Sequence, residues 1–487
     1  MIKFGEFLPD QNDLENPGVT RAENALPVGG VLIAFPSPTA VSTNALSSRP
    51  MGVISFIGRD GVSRTYVGVS DKLYGLSAVT HVDYSRAAGY SVSDEEGWDF
   101  VKYDTSHTEY IIASNGTDLM QYLAVGDTTF ADITDGPRAR HIGVSKGFLI
   151  AASQQGNKLI VDWSASSDPF TWPEVGTQVA DAVKRGQQTL NNNGGPIHGV
   201  VSGDTAYILQ ENAISRMQFV GGSTHFDITN IADIDGVISR SGWVKIDDLV
   251  YYISRDGLKV FDGARSKPLG HGKVDSYFLD DLDSTYTHRV TLTDHPKYPL
   301  LIINYPDSNA TSGNPNQQLI FNYVTGQWST GTNVVNELFA SFGRGLTVDT
   351  LDTLSATIDG LTTSVDAASI NRGAPILSAY SAAHTLTDFS GSALDAVIET
   401  TEMANEEDRL THIMGVRPAI EAGTVTSQVS SRLLQTDAET WGTITSLQSS
   451  GIANHRILTR YFKFRFNISG LTKAAGFFPK LRPGGFR

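Results

Sequence analysis

The chain has 487 residues, of which 40% are hydrophobic and 18% charged, with a formal net charge of −15 and a pI near 5.1. These values argue against global disorder, and against a surface that grips phosphates over a wide area, which needs dense Lys and Arg. With no Cys, disulfides, thiolate nucleophiles and Cys-ligated zinc or iron–sulfur sites are excluded. The N-terminal MIKFGEFLPDQ has no apolar run of signal-peptide length, and no window offers about eighteen uncharged apolar residues. The expectation is a chain made in a cytosol that spans no membrane.

Residues 1–50 are broken by Pro9, Pro17-Gly18, Pro27, Gly29-Gly30, Pro36 and Pro38, so this segment reads as an extended N-terminal arm that wraps an existing surface. From 51 to 389 one pattern recurs: strand, Gly or Asp/Asn turn, strand, turn, strand. Copies start at Ser55, Glu109, His141, His198, Gly242 and His288, separated by 54, 32, 57, 44 and 46 residues. That spacing is irregular but centred near the blade length of β-propellers, and about six blades are expected. The copy at Gly242 is the clearest. Val244, Ile246, Val250 and Tyr252 alternate with polar residues, Asp247-Asp248 and Arg255-Asp256-Gly257 turn the chain, and Leu258–Phe261 alternates again. Val274–Leu279 then carries apolar residues at helical spacing and reads as a short helix between blades.

Three stretches interrupt the pattern: 173–195, 306–318 and 344–375. The first two, rich in Asn, Gly and Ser, are read as protruding loops. After residue 390 the strands lengthen. In 460–468, Phe462, Phe464 and Phe466 alternate with Tyr461, Lys463 and Arg465, so 390–487 reads as a β-sandwich domain with a basic tail from Lys480 to Arg487. The fold class is therefore all-β.

Catalytic motifs are sparse. No Walker loop, no G-x-G-x-x-G opening a helix and no H-E-x-x-H occurs. Gly143-Val144-Ser145-Lys146-Gly147 matches G-x-S-x-G, but a nucleophile elbow leads into a helix and Phe148-Leu149-Ile150 reads as strand, so a hairpin turn is expected. Ser164–Trp172 faintly resembles the Asp-box of sialidase-type propellers, itself a structural turn. Asp233-Ile234-Asp235 and Asp280–Asp283 lack the ligand ladder of an EF-hand and read as turn or helix-end carboxylates. His141, His198 and His288 enter strands at comparable points of three copies, where hydrogen bonding at blade edges is expected. Glu211 and Arg216 are read as a buried pair bracing a turn. Trp98, Trp163, Trp172, Trp243, Trp328 and Trp441 lie at strand ends or turns and read mostly as blade pins. No catalytic, cofactor or metal residue is assigned.

Several stretches resemble the tail nozzle, or packaged-DNA stabilisation, proteins of short-tailed bacteriophages. FGEFLPDQNDLENPGVTRAENALPVGGVLIAFPSP at 4–38 looks like that family's entry segment. GGPIHGVVSGDTAYILQENAISRMQFVGG at 194–222 and DGLKVFDGARSKPLGHGKVDSYFLDDLD at 256–283 look like its central blades. LIFNYVTGQWS at 319–329, RYFKFRFNI at 460–468 and the PGGFR end complete the series, while 344–375 and the tail depart from it.

The resemblance implies a non-enzymatic virion protein without cofactors: a ring of identical subunits, usually six, below the portal and adaptor rings. The ring closes the channel after packaging and conducts the genome at ejection. Implied partners are the adaptor ring protein, tail fibres or spikes, duplex DNA passing without sequence-specific contacts, and the host envelope. On this reading Asn191, Asn192, Asn193, Asp307, Asn309 and Asn314 are candidate channel or gate positions. Phe4, Phe7, Arg482 and Arg487 are candidate docking positions. The alternatives are a propeller-based glycan-binding or glycan-cleaving tail spike, marked by aromatic platforms and convergent carboxylates in the propeller mouth, and a cellular interaction scaffold.

Overall fold

The computed structural model describes residues 1–222, 224–231, 234–344, 373–404 and 409–485; the weakly assigned stretch 344–375 falls largely outside them. The alternation around Gly242 folds as read. Trp243–Ile246, Leu249–Ser254, Gly257–Phe261 and Ser266–Pro268 form a four-stranded antiparallel meander. Asp247 takes the left-handed region at φ 52°. Gly257 sits at φ 117°, where a Cβ would collide with the Asp275 carboxylate, so no other residue fits. The apolar positions Tyr252, Ile253 and Phe261 are fully buried, and the helix expected after them is α1 in the C-terminal half of the ring, Asp275–Asp281.

The same meander recurs at 53–83, 99–132, 139–189, 197–231 and 291–331. A further four-stranded sheet joins Val335–Phe342, Pro375–Ser381 and Leu386–Ala393 to Pro36–Ala40 from the N-terminus. The propeller therefore has seven blades, one beyond the six recurring copies. The first strand of each blade is innermost. The ring closes where blade seven meets blade one, with Ser341 Oγ 3.2 Å from Ser55 Oγ and Ser63 Oγ donating to the Phe342 carbonyl at 3.1 Å. Because every blade is an up-and-down meander, two kinds of connection fall on one face: those between blades and those between a blade's second and third strands. We call this the entry face.

The first residues are not a loose arm. Val19–Glu23, Ala25–Val28 and Val31–Ala34 are strands of a C-terminal sandwich, and Ile2–Lys3 pairs with its last strand, Lys473–Pro483. One layer runs Ala25–Val28, Val31–Ala34, Lys473–Pro483, Thr411–Glu421 and Ala453–Thr459; the facing layer runs Val19–Glu23, Ala396–Thr400, Tyr461–Ser469 and Thr424–Arg432. The second layer is continuous with blade six in an eleven-stranded sheet, joined by parallel pairing of Glu23 with Thr330.

The sandwich core shows why the alternation at 461–468 mattered. Phe462, Phe464, Phe466 and Ile468 are all buried, and Phe4 inserts between the layers. The Phe4 ring lies 5.5 Å from that of Phe466 and 5.7 Å from that of Phe477. Phe7, buried as well, packs edge-on against Tyr277 at 5.2 Å. Both rings belong to the subunit's own core, which corrects their reading as docking positions: an aromatic ring with this much apolar area is more stable inside.

Phe4→Ala should therefore lower unfolding stability by about 3–5 kcal/mol, measured by urea denaturation. Val179→Ala, at an exposed site, should change it by less than about 0.5 kcal/mol.

Candidate functional site at the propeller mouth

Each link between blades delivers a charged or imidazole side chain to the entry face just as the next inner strand begins. Arg49 precedes blade one and Asp94 blade two; Arg140 and His141 open blade three; His198 opens blade four. Arg240 precedes blade five, His288 and Arg289 precede blade six, and Glu337 lies at the start of blade seven. Radial symmetry thus gathers residues that are far apart in the chain.

Asp94 is the hub of one half. Its carboxylate lies 3.2 Å from Arg49, 2.8 Å from His288 Nε2 and 2.7 Å from Arg289 Nε. Burial alone would raise its pKa, but His288, Arg49 and Arg289 together hold it well below the usual carboxylate range. Arg49 is pulled down to about 10 by burial and by the neighbouring cations, against the opposing effect of Asp94. Glu337, fully buried, is pushed up by desolvation although Arg240 and Arg49 oppose the shift. Arg289 also donates to the Ser312 carbonyl at 2.6 Å and stacks on Tyr286 with its guanidinium 4.4 Å from the ring centre.

The other half is cationic. Arg140 donates to the backbone carbonyls of Glu95 and Glu96, and Arg240 donates to the Trp98 carbonyl at 3.1 Å. Between them remains a cavity of about 30 Å³ bordered by Trp98, Asp99 and His141. His141 Nδ1 lies 3.5 Å from Asp99, and its other ring nitrogen is buried with no hydrogen-bond partner among the described residues. Burial lowers the pKa of His141, and lowers that of His198 to about 3 with His141, Arg140 and Lys158 adding to the effect. Chemically, this mouth is a polar plug: guanidinium groups, the Asp94 carboxylate and backbone carbonyls join links from opposite sides of the ring across the axis at this end. Among the described residues no group of three His, Asp or Glu could hold a metal ion.

The three recurring histidines converge on this mouth more closely than separate blades suggest from sequence. The arginines beside them, Arg49, Arg140, Arg240 and Arg289, carry most of the network and were missed, although their recurrence one to four residues from strand entry was readable. Glu211 corrects its expected partner: Arg216 is exposed, and Glu211 instead pairs with Arg255 of the next blade. Gly143–Gly147 is the expected hairpin, with Lys146 at φ 49° and Gly147 at φ 78° between paired Ser145 and Phe148. Ser164–Trp172 is a turn in which Asp168 accepts from Phe170 N at 2.9 Å and from Thr171 Oγ1 at 2.6 Å. Asp235 pairs with Lys259, and Asp281 accepts from the Tyr305 hydroxyl at 3.0 Å. Trp98, Trp163, Trp172 and Trp328 are buried, while Trp243 and Trp441 are half-buried, the latter under Arg465 at 3.7 Å.

Residues 190–195 and 306–318 reach the entry face, but as fixed turns, while 173–185 join the third and fourth strands of blade three on the opposite face. Residues 173–195 hold a short helix, Gln178–Val183, and the outer strand of blade three, Gly186–Thr189, so they are not one protruding loop. Asn192 exchanges amide hydrogen bonds of 2.7 and 3.0 Å with the fully buried Gln210, while Asn191 and Asn193 are exposed. Asp307, buried, accepts from Asn309 N at 2.8 Å and Gln317 Nε2 at 3.1 Å, and its own backbone N–H donates to Asn316 Oδ1 at 3.0 Å. Asn309 is exposed and Asn314 half-buried. Two packings at little cost are not what such saturated turns offer, which corrects Asn192 and Asp307 as gate positions. Arg482 is exposed on the last strand, opposite His412; Arg487 lies outside the described residues.

No family model matches the chain, and no curated protein matches it in sequence. Among solved structures it is similar to BBS1N in complex with ARL6DN, in a crystal soaked with lead: 10% identity over 74% of this chain and 96% of that chain, TM-score 0.39. A second crystal of that complex, soaked with mercury, gives 11% identity, the same coverage and a TM-score of 0.40. The propeller assignment stands on the strand pairing.

Asp94→Asn keeps the shape and removes the charge that Arg49 and Arg289 face. It should cost about 1–3 kcal/mol, less than a fully buried pair because the carboxylate is 29% exposed. Since the folded pKa of Asp94 is depressed, its contribution is present above the unfolded value near 3.9 and is lost as pH falls below it. The stability gap between wild type and Asp94→Asn should therefore close on acidification through that region. His198 has the same sense for a base: the unfolded chain binds the proton first. Between pH about 6.5 and 3, His198→Gln should flatten the fall in stability seen with the native residue, as read by thermal unfolding against pH.

Proposed function

We propose that this chain is a structural protein of a short-tailed phage virion: the nozzle subunit whose ring closes the DNA channel after packaging and conducts the genome at ejection. The observation that carries the reading is mechanical. The sandwich and blade six share one eleven-stranded sheet, so the two modules form a stiff body of the kind a ring wall under load needs. The family-like segments support it in position as well as in order. The entry segment at 4–38 and the segment at 460–468 build the sandwich, those at 194–222 and 256–283 supply blades four and five, and 319–329 runs into the joint between the modules.

The propeller's own axis does not carry DNA on this reading. The charged plug occupies its mouth, so the bore lies between subunits. A net charge of −15 suits such a bore, because a wall poor in exposed cations lets phosphates slide without sticking. Contacts between neighbours, or with the adaptor ring and fibres, have a candidate surface in the sandwich, where Leu433, Leu434, Ile444, Leu458 and Phe478 are each 44–63% exposed.

Light scattering over a concentration series, with negative-stain images, tests this. The expected result is a closed ring of about six subunits with an axial hole, or a monomer that closes into such a ring on adding adaptor protein. Trimers would favour a spike, and a monomer indifferent to other tail proteins would leave a scaffold; either overturns the proposal.

A further inference from the structure

Beside the plug, on the same face, lies an open cleft of about 560 Å³. Its walls differ in character. Blade three contributes Arg140 and Lys158, and the turn of blade five contributes Arg255. The link between blades five and six contributes Leu279 from α1, Leu282 at its C-terminal cap and the hydroxyls of Ser284 and Thr287 just beyond it, with Ile238 from the preceding link. In a chain of net charge −15, three cations here meet one carboxylate, that of Glu211.

That carboxylate is already engaged. Glu211 forms an ion pair with Arg255, and its side chain is 34% exposed, which leaves Lys158 without a countercharge in the cleft; Arg140 is balanced in part by the charges of Glu96, Glu95 and Asp99, none of which lines the cleft. The Arg140 contacts are to backbone carbonyls, dipoles without net charge. The Lys158 ammonium has no hydrogen-bond or ion-pair partner among the described residues and stands exposed at the start of its strand. The positive field is felt by its neighbour: His198, lining the same cleft, has its pKa lowered first by burial and then by His141, Arg140 and Lys158.

We propose that this cleft binds an acidic peptide segment of a partner protein, its carboxylates on Arg140 and Lys158 and an adjacent aliphatic side chain on Leu279 and Leu282. Charge complementarity selects the acidic residue, because a cleft lined by more cations than carboxylates attracts an opposite charge, and low-dielectric walls strengthen that attraction. The apolar wall selects a peptide over a bare oxyanion, which would leave Ile238, Leu279 and Leu282 uncovered. Ser284 can donate to and accept from an extended backbone crossing the cleft, and Thr287, whose hydroxyl donates to the Ser284 carbonyl at 3.0 Å, can accept. The proposal does not depend on the nozzle reading, since it needs only this face of a single subunit.

The probe is a fluorescently labelled hexapeptide, Glu-Leu-Asp-Leu-Glu-Asp, followed by anisotropy at low salt with the full chain, beside its amide counterpart Gln-Leu-Asn-Leu-Gln-Asn. The acidic peptide should bind at least about tenfold more tightly than the amide one, and Lys158→Glu should weaken it by about tenfold or more with unchanged thermal stability. Arg255→Gln should weaken it less, since it removes a single positive charge where Lys158→Glu reverses one. Lys480→Glu, exposed on the sandwich, should leave binding as it was. Equal affinity for the two peptides, or no loss in Lys158→Glu, would overturn the proposal. So would displacement of the peptide by inorganic phosphate far beyond that by chloride at equal ionic strength, which would mark a site for simple oxyanions.

Discussion

The whole subunit depends on how its first forty residues satisfy strand edges that nothing else can reach. A blade with three strands presents a row of unpaired backbone groups, and a ring with an open seam presents two more. Pro36–Ala40 covers the outer edge of blade seven, Val19–Glu23 bridges blade six to the sandwich, and Ile2–Lys3 caps the last strand. Proline is tolerated at the first of these positions because an outermost strand leaves one side of its backbone without a ladder partner. The segment that looks like a breaker-rich arm is thus the closure of both modules. Its prolines mark where it runs along edges.

That distinction explains what could be read from the sequence. Blades one to six were legible because each is local: alternating residues such as Val250 and Tyr252 meet partners within twenty positions, and turns such as Asp247-Asp248 announce themselves. The seventh blade was not, because Thr387 pairs with Ala40 and no periodicity links residues that far apart. The sandwich was half legible. The alternation of Phe462, Phe464 and Phe466 exposed its strongest strand, but that Phe4 completes the same cluster depends on a contact across most of the chain. The mouth was legible in its histidines and missed in its arginines, since only His141, His198 and His288 were read as hydrogen-bonding side chains at blade edges. The recurrence that mattered was of any hydrogen-bonding cation at strand entry.

The electrostatics of the mouth follow from the same geometry. Seven links converge, and each brings backbone carbonyls that have left one sheet and not yet entered the next. Arginine serves that position well because its planar fork can satisfy two acceptors at once, as Arg140 does with Glu95 and Glu96. Asp94, whose carboxylate ties Arg49, Arg289 and the His288 imidazole, stands between blade one and the blade-six entry across the ring. Such a cluster trades hydrophobic stability for a specified arrangement, since each member is useful only where all the others stand.

The joint between the modules depends on one side chain as well. Asn24 takes the left-handed region at φ 57°, which asparagine tolerates better than most residues. From there its amide donates to Thr332 Oγ1 at 3.1 Å and to the Asp395 carbonyl at 3.0 Å, while its oxygen accepts from Thr332 N at 2.9 Å. Its own N–H donates to the Thr330 carbonyl at 2.8 Å. The N-terminal segment, the link from blade six to blade seven and the entry to the C-terminal strands are therefore pinned at one buried point. A rotation of the sandwich against the propeller would have to break these bonds and the Glu23–Thr330 pairing together. In the proposed ring, then, movement that opens a bore has to come from whole subunits turning against one another, because the two modules of each subunit are not free to do so.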